Sequence, residues 1–344
     1  MKKAFLPIAL AVITALVLVV SCQKSYSPIP PSAGAVNLTQ LFSAIQPVPQ
    51  SFSVPAGKET VIYAAQGTKM HFYSNSFKDA NGNIITSGTV NIQMTEMYKP
   101  GDMIANRATT IANGEILQSG GQVNITATQN GNPVYANKYS LAFRHNSTSS
   151  APMAMFYGAT GNNAAATTTW TQSDTTQNGT KAAGTTSDSA ANNASSLFVF
   201  DSCTNFTWAN CDWFNKNDSP KTTVSIILPD STFNPTNTQM YLVLPNITRA
   251  HNTRDTFNAV LSSIEPRLGS ESYNASTNTM KLISQHNNVI VPAGLDYELV
   301  VMANKNGIWY YYQQQGVIPH NGLLVNVALV QTTEQRVITQ LAGL

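Results

Sequence analysis

The sequence predicts a mainly β protein in which two antiparallel β-sandwich modules are joined by a disordered polar linker, with a short C-terminal helix. Three observations lead to this fold class. Apolar residues alternate with polar residues over short runs, as at Val90, Ile92 and Met94, and a period of two is typical of half-buried strands. Asn-Gly pairs between the runs favour the positive φ angles of tight hairpins. Finally, residues 171–196 are mostly small and polar, so burial cannot offset the entropy of ordering them.

The chain begins with a predicted export signal. Two lysines are followed directly by an apolar run over residues 4–20, which is the charged-then-apolar order of a secretory signal. The run is slightly short for a spanning helix and lacks a basic stop-transfer flank. Its end, Val19-Val20-Ser21-Cys22, resembles the bacterial lipobox. We therefore expect lipidation of Cys22 after cleavage; the alternative is an uncleaved membrane anchor that ends in an incidental cysteine.

The remaining elements follow in chain order. A Pro- and Ser-rich stretch after the signal predicts an extended, partly stiff tether, within which residues 38–45 have the apolar spacing of one short helix. A terminal helix is predicted from Thr332, because Thr332 and Gln335 have capping-box spacing. The second module forms either one sandwich or two smaller units. The predicted divisions are residues 1–21 (signal peptide), 22–50 (tether), 51–170 (β-sandwich module), 171–196 (linker) and 197–344 (second β-rich module).

The charge content argues against a nucleic-acid partner. Only 10% of the residues are charged, and loss of the signal would leave 17 of the 19 basic residues against 17 acidic residues. The sequence has no basic stripe, so the electrostatic footprint of a nucleic-acid binder is missing.

Two cysteines remain in the mature chain besides the lipidated one. Cys203 and Cys211 are close in sequence, and in an oxidising compartment such a pair predicts a disulfide. Two alternatives stay open, namely two buried free thiols and half of a metal site. Zinc would require further Cys or His ligands at compact spacing, whereas the histidines of this half of the chain are scattered singly. We therefore expect no metal and no cofactor.

Several motifs over most of the mature chain carry a family resemblance. They include Gly67-Thr68-Lys69-Met70, Gly88-Thr89-Val90, Leu117-Gln118-Ser119-Gly120-Gly121 and Phe206-Thr207-Trp208-Ala209-Asn210-Cys211-Asp212. They resemble a module that recurs in lipoproteins and outer-membrane proteins of Bacteroidota and that is distantly similar to the β-sandwich of ankyrins and netrin receptors. The resemblance implies a β-sandwich fold and implies no activity. The long polar insert before Leu197 departs from the family and leaves the relative placement of the modules open.

The same resemblance bears on location and modification. Surface-displayed lipoproteins of that phylum usually carry an acidic run after the lipidated cysteine, and residues 23–27 contain none. This favours the periplasmic face of the outer membrane, with the cell surface as the alternative. Three tripeptides that begin with Asp resemble the phylum's O-glycosylation signal, although such triplets also occur by chance in a Thr-rich chain. They mark Thr175, Ser189 and Ser231 as the candidates.

Two polar groupings suggest chemistry without completing a motif. Residues 79–83 resemble the opening of a calcium loop, but the position of the closing Glu is occupied by Val90. The Asn-Gly pair within them predicts a plain hairpin turn instead. His251 and Asp255 are four apart and would share a helix face as a base and its orienter. Without a nucleophile motif, a solvated polar helix or loop is the better interpretation.

No catalytic motif is present in the sequence. Glu96, Asp102 and Glu115 could supply the carboxylate pair of a glycosidase, but their separation is unknown and we interpret them as strand-edge and loop residues. The Gly-x-Ser-x-Gly, His-Glu-x-x-His and Gly-x-x-x-x-Gly-Lys motifs are all missing. An enzyme would need a cleft that brings polar residues together, for example His251 and Asp212. The sequence therefore predicts a protein that is not an enzyme.

Aromatic residues are the remaining candidates for binding, because flat rings on a β-face stack on sugars or seat a protein partner. Strand alternation places Trp309 and Tyr311 on one face and Tyr310 and Tyr312 on the other, so at least one pair should pack in a core. The candidate ligand-binding residues are Trp208, Trp213, Trp309 and Tyr311.

Taken together, these features predict a lipid-anchored cell-envelope protein that acts as a non-enzymatic scaffold or protein-interaction module. The alternative is a glycan-binding lipoprotein that uses exposed aromatic side chains. The expected partners are the membrane, through the lipid anchor, and an envelope protein or a glycan.

Overall fold

Strands dominate the regular structure of this computed structural model, and three helices account for the rest, so the mainly β prediction is confirmed. The predicted Asn-Gly turns at residues 130–131 and 306–307 both have positive φ at both residues. The structure describes residues 34–112, 115–145, 153–159, 169–173, 178–183, 196–214, 219–249, 252–262, 273–284, 287–288 and 291–344.

The first fifteen strands build the first sandwich, except that Ile111 of the sixth strand is buried in the second core. They are β1 (Gln50–Pro55), β2 (Thr60–Tyr63), β3 (Lys69–Phe72), β4 (Phe77–Lys78), β5 (Thr89–Met97), β6 (Ile111–Ala112), β7 (Glu115–Gln129), β8 (Asn132–Pro133), β9 (Tyr135–Ala136), β10 (Tyr139–His145), β11 (Met153–Ala159), β12 (Thr169–Gln172), β13 (Asn178–Ala183), β14 (Ser196–Cys203) and β15 (Trp208–Phe214). One antiparallel sheet has the order β1-β5-β7-β15-β11-β12. The facing sheet has the order β2-β3-β10-β14-β13.

The first core lies between these two sheets. The alternating residues Val90, Ile92 and Met94 of β5 and Val123 and Ile125 of β7 are all fully buried in it. The period-two pattern that predicted these strands therefore also identifies the side of each strand that is buried.

The last thirteen strands build most of the second sandwich. They are β16 (Lys221–Thr222), β17 (Val224–Ile227), β18 (Thr238–Arg249), β19 (Asn252–Ser262), β20 (Tyr273–Asn274), β21 (Thr279–Lys281), β22 (Ile283–Ser284), β23 (Asn287–Asn288), β24 (Val291–Pro292), β25 (Asp296–Lys305), β26 (Ile308–Val317), β27 (Leu323–Asn326) and β28 (Val330–Thr332). One sheet has the order β19-β18-β25-β26-β28. The other has the order β20-β21-β17-β27, in which β17 and β27 are parallel.

Strand β7 is shared by the two sandwiches. Its Ile116 is buried in the second core, whereas Val123 is buried in the first. Between them the register against β15 shifts at a bulge. At this bulge Gly121 has a φ of +134°, and a Cβ there would lie 2.4 Å from the Tyr98 ring. Only glycine therefore permits the bend at which β7 passes from one core to the other.

The predicted module boundary after residue 170 is too early, because the chain still contributes to the first core as far as β15. Strands β14 and β15 were assigned to the second module, yet both pair within the first sandwich. They do so because Phe198, Phe200 and Ala209 point into the first core. The tract that was predicted to be a disordered linker contains β13, which pairs with β11 and β14. The rest of that tract lies outside the described residues.

Three helices lie in the described part of the chain. Helix α1 begins after Asn37, whose side chain accepts a hydrogen bond from Gln40 N at 2.9 Å. Helix α3 begins after Thr333, whose hydroxyl accepts from Arg336 N at 3.2 Å. The cap is one residue later than predicted because Thr332 ends β28. The short middle helix was not predicted. The helices are α1 (Leu38–Ile45), α2 (Pro100–Ala105) and α3 (Glu334–Ala342).

These helices pack together as one layer, called the helix layer below. Phe42 of α1 lies edge-to-face on Tyr241 of β18, with ring centroids 6.2 Å apart. Helix α2 touches α3 so closely that a Cβ on Gly101 would lie 2.0 Å from the Leu341 carbonyl oxygen. Helix α3 in turn contacts β26. The layer thus covers one face of the β18-β25-β26 sheet, and the second core covers the other.

Candidate functional site

A cleft of about 300 Å³ lies beside β26, at the point where its pairing with β28 stops. We call it the β26 cleft. Strand β26 pairs with β25 along its whole length, whereas β28 pairs only with Trp309, Tyr310 and Tyr311. Just before β28 the chain belongs to the opposite sheet, where Val327 N donates to Ile227 O at 2.9 Å. The chain therefore crosses between sheets at this point, and the crossing leaves a gap beside β26.

Strand alternation places the aromatic residues of β26 on two opposite faces, as predicted, but part of the face proposed for ligand binding is covered. Tyr310 packs edge-to-face on Phe233 at the second core, with ring centroids 5.1 Å apart. Trp309 lies on the opposite face and is only 5% exposed, so its proposed role as an exposed ligand-binding residue is wrong. The sequence could not show that the helix layer covers this face. Tyr311 remains half-buried and lines the cleft.

The cleft combines one aromatic wall with polar groups. The Tyr311 hydroxyl donates to Gln313 Oε1 at 3.0 Å. Burial and the nearby Glu298 carboxylate raise the pKa of Tyr311 far above its usual range, so the phenol stays a neutral donor. The Arg336 guanidinium is exposed at the rim, and the Thr332 hydroxyl is buried there without a hydrogen-bond partner. The cleft is therefore suited to a polar or anionic group rather than to a purely apolar one.

Next to the cleft lies an unpaired strand edge. We call residues 312–317 the β26 edge, because no described strand pairs with their outer side. Lys305 and Ile308 flank a two-residue turn and therefore form a hydrogen-bonded pair. Hydrogen-bonded pairs alternate along an antiparallel ladder. The N–H and C=O groups of Gln313, Gln315 and Val317 consequently point outward. All three residues are exposed.

The first sandwich contains a buried polar cluster that the sequence did not reveal. The Ser119 hydroxyl donates to Asn210 Oδ1 at 2.9 Å, and the Asn210 amide donates to Asp212 Oδ2. Asp212 is fully buried and its Oδ1 has no partner; the same is true of the amide atoms of Gln122. Burial raises the pKa of Asp212 well above its ordinary range, and the hydrogen bond from the Asn210 amide only partly opposes this shift. The cluster therefore holds a neutral carboxylic acid that is sealed from solvent.

A second exposed aromatic surface lies on the outer side of β2 and β3. Tyr63 is 55% exposed, and the Lys69 ammonium lies 5.8 Å from its ring centroid. Lys138 lies at the same distance from the ring of Tyr73, which also contacts the His71 ring at 4.6 Å. We call these residues the tyrosine face. Its signal in the sequence is the alternation of Lys69, His71 and Tyr73.

The other predicted aromatic residues are not brought together. Trp208 is half-buried at the start of β15, where it pairs with Asn124 of β7 and Gly158 of β11. Trp213 lies further along β15, and its side chain is outside the part that the structure describes. Because Trp208 and Tyr311 belong to different sandwiches, the predicted set does not form one surface.

The predicted disulfide is not formed in the structure. Cys203 and Cys211 are both buried, and their strands β14 and β15 belong to opposite sheets of the first sandwich. The Cys203 thiol donates to Phe200 O at 3.4 Å, and burial raises its pKa to about 12. The alternative of two buried thiols describes the structure. The predicted lipidation site, Cys22, lies outside the described residues.

The suggested calcium loop is a hairpin turn, as we had favoured. Asp79 Oδ1 accepts hydrogen bonds from the backbone N–H groups of Asn81 and Asn83, both at 2.9 Å. The Asn83 side chain and these backbone groups lower the pKa of Asp79. The carboxylate therefore stabilises the turn in which it lies.

The pairing of His251 with Asp255 does not occur on a helix. Asp255 belongs to β19, and Arg249 pairs with Asn252 across the β18–β19 turn. The interpretation as a polar helix or loop is therefore wrong for Asp255, whereas His251 lies outside the described residues.

The three candidate carboxylates have separate environments. Glu96 is buried and accepts hydrogen bonds from Gln66 N at 2.7 Å and Thr68 N at 3.0 Å, so our interpretation of it as a strand-edge residue is wrong. Asp102 lies on helix α2, so our interpretation of it as a strand-edge or loop residue is wrong, and burial raises its pKa to about 6. Glu115 is exposed at the start of β7, in agreement with the prediction.

Of the glycosylation candidates, Ser231 is exposed in a turn that follows Asp230. The Asp230 carboxylate accepts a hydrogen bond from Thr232 N at 2.7 Å. Thr175 and Ser189 lie outside the described residues.

In the described part of the chain, no group of three or more His, Cys, Asp or Glu side chains is placed to hold a metal ion. No described helix has the length and apolar character needed to cross a membrane. Comparison of the chain with protein-family models, with curated proteins and with solved structures found no match.

Proposed function

We propose that this chain is a non-enzymatic, lipid-anchored protein of the cell envelope that acts as an interaction module for an envelope protein. The observation that carries the proposal is the β26 edge beside the β26 cleft. Residues 312–317 are Tyr, Gln, Gln, Gln, Gly and Val, and the register with β25 is continuous over all ten pairs. The edge therefore carries none of the charges, prolines or bulges with which proteins usually protect an exposed strand. An unprotected edge is a ready template for a partner strand.

The rest of the fold supports a binding role through rigidity. Strand β7 contributes to both cores, and the helix layer ties α1, near the start of the described chain, to α3 at its end. The described residues from 34 to 344 belong to one compact unit. A rigid body that presents a fixed edge binds with little ordering cost, because the edge is already extended.

A pull-down from native membranes tests this proposal. The bait is the tagged, lipidated protein, run beside a soluble form that starts at Gln23, and both co-purifying proteins and glycan fragments are identified. A stoichiometric envelope protein is expected with both baits. Recovery of glycan with no protein would reject the interaction-module function.

Glycan binding is the second candidate, and the tyrosine face is the observation that favours it. Tyr63 is exposed with Lys69 beside its ring, and His71 contacts the neighbouring Tyr73, so rings and polar groups combine in a way that can stack on and hydrogen-bond a sugar. Tyr63→Ala and Trp208→Ala should each be assayed for retention on envelope polysaccharides. Unchanged retention in both variants, with unchanged unfolding, would remove this candidate.

The anchor and its location belong to the same proposal. We expect labelled palmitate to be incorporated into the wild-type chain and not into Cys22→Ala. We also expect the protein to fractionate with outer membranes and to resist protease added to whole cells, as a periplasmic-face lipoprotein would. Degradation by external protease would place the body at the cell surface instead.

A further inference from the structure

We infer that the partner presents an extended segment that adds a strand to the β26 edge and places an acidic side chain in the β26 cleft, beside Arg336. This inference rests on the proposed function and names the chemistry of the partner. It has two parts: the ladder of backbone hydrogen bonds that holds the segment against β26, and the charge that favours an acidic side chain in the segment.

The ladder follows from how β28 uses only part of β26. Strand β28 already occupies the outer side of β26 at Trp309 and Tyr311. An incoming segment along the β26 edge continues the line of β28 and bonds to the outward groups of Gln313, Gln315 and Val317. These three residues span about 13 Å at roughly 3.3 Å per residue. A partner segment of about five residues therefore fills the open part of the edge.

The charge preference follows from what lines the cleft. The partner residue nearest β28 lies opposite Gln313, which is itself a cleft residue. Arg336 is the charged side chain among the residues that line the cleft, and it is exposed toward solvent. The carboxylates of Glu298, which accepts from the Gln313 amide, and Glu334, which accepts from Ala35 N at 3.2 Å, keep their charge but do not line the cleft. An acidic side chain that enters the cleft would therefore meet one cation there, with both carboxylates outside the lining.

A buried hydroxyl in the cleft wall points the same way. Thr332 Oγ1 is buried and has no hydrogen-bond partner. Leaving a buried hydroxyl unpaired typically costs about 1–3 kcal/mol. A carboxylate that reaches past Arg336 into the cleft would provide the missing acceptor. The unpaired Thr332 hydroxyl and the Arg336 charge therefore both favour an acidic side chain.

Synthetic peptides provide the test. The probe is the peptide Gly-Thr-Val-Thr-Val-Thr-Glu, acetylated and amidated at its ends, compared with versions that carry Gln or Lys in place of Glu. Because β28 is antiparallel to β26, a segment that continues its line places the C-terminal residue nearest the cleft. Affinity is measured by fluorescence anisotropy, and the bound site by backbone hydrogen exchange of residues 312–317. We expect the Glu peptide to bind at least about tenfold more tightly than the Lys peptide and to slow exchange at the outward N–H groups. In Arg336→Glu the preference should reverse.

A matched pair of variants separates edge pairing from folding. Gln315→Pro removes one outward N–H and spares the bonds to β25, since edge strands tolerate proline on their open side. Gln315→Ala keeps that N–H. We expect the first variant to lose the peptide and the second to bind it as the wild type does. Unfolding curves of both variants report on folding, and exchange in the wild type tests the site even if Gln315→Pro is unstable.

The outcomes are distinct from those of the pull-down. Equal affinity for the Glu and Lys peptides, peptide binding without protection of residues 312–317, or protection by glycan fragments would each overturn the inference. If the envelope protein still co-purifies with Gln315→Pro, the interaction module stands and the β26 edge is not its binding site. If the wild type captures no envelope protein, the proposed function itself falls.

Discussion

Replacing Asp212 by Asn should stabilise the protein at neutral pH. Asp212 is fully buried, its Oδ1 has no partner, and its neighbours Ser119 and Asn210 are uncharged. Asn has nearly the same shape and keeps an oxygen that accepts the Asn210 amide, but it cannot ionise. The substitution therefore removes the cost of keeping an acid protonated, or of burying its charge, above the pKa of the unfolded chain.

The magnitude follows from proton linkage. Because burial raises the folded-state pKa of Asp212, its contribution to stability is fully present below the unfolded pKa of about 4 and is lost as pH rises through the folded-state pKa. Over that interval the folded protein holds one proton that the unfolded chain has released. Each pH unit then costs the wild type about 1.4 kcal/mol. The difference in the free energy of unfolding between Asp212→Asn and the wild type should therefore grow by this amount for each pH unit.

Urea unfolding, followed by tryptophan fluorescence at pH 4.5, 5.5 and 6.5, measures this difference, and other titrating groups cancel between the two proteins. Asp102→Asn is the matched control. Its folded-state pKa is raised to about 6, so its advantage should stop growing near pH 6, whereas that of Asp212→Asn should continue to grow. A stability gap for Asp212→Asn that does not change with pH would show that the carboxyl is already ionised in the folded protein over this range, and it would refute our reasoning.

Three further predictions concern packing and the thiols. Phe42→Ala should lower the free energy of unfolding by about 3–5 kcal/mol, because the ring is buried against Tyr241; urea unfolding measures this loss. Gly101→Ala should cost about 1–3 kcal/mol or more, because the added methyl group overlaps the α3 backbone; a lower thermal midpoint should report it. Cys203 and Cys211 should react with a maleimide only after denaturation and without reductant, because both are buried and not joined; mass spectrometry counts the labels.

Controls for these three predictions are available in the same elements. Val36, near α1, is 60% exposed, so Val36→Ala should leave stability almost unchanged. Gly343 follows α3, and a Cβ there would lie 3.4 Å or more from any neighbouring atom, so Gly343→Ala should be tolerated. Failure of the denatured protein to take up the label, with uptake restored by reductant, would establish the predicted disulfide instead.

Local patterns predicted the parts of the fold that depend on near neighbours in sequence. The helix over residues 38–45 was visible because its apolar spacing is regular and its cap is local. The separation of Trp309 from Tyr310 was visible because alternation is a property of the strand itself. The face that would be covered was not visible. The helix layer that buries Trp309 comes from three segments far apart in the chain, and no local pattern encodes their meeting.

The polar cluster and the module boundary were missed for a related reason. Asp212 and Asn210 read as polar positions on a strand with one solvated face, but β15 lies in the middle of its sheet, and its outer side is also buried. Similarly, the small polar residues around β13 suggested a linker. A short strand between two others needs few large side chains, because its neighbours supply the burial.

The candidate site arises from the same contact that completes the second core. Val327 is buried there, and its N–H pairs with Ile227 in the sheet opposite β26. This pairing commits residues before β28 to the far sheet, so β28 is too short to cover all of β26. A longer β28 would close the edge but would pull Val327 out of the core. The open edge is therefore built into the way the sandwich closes, and an outside strand can complete the sheet without displacing any described strand.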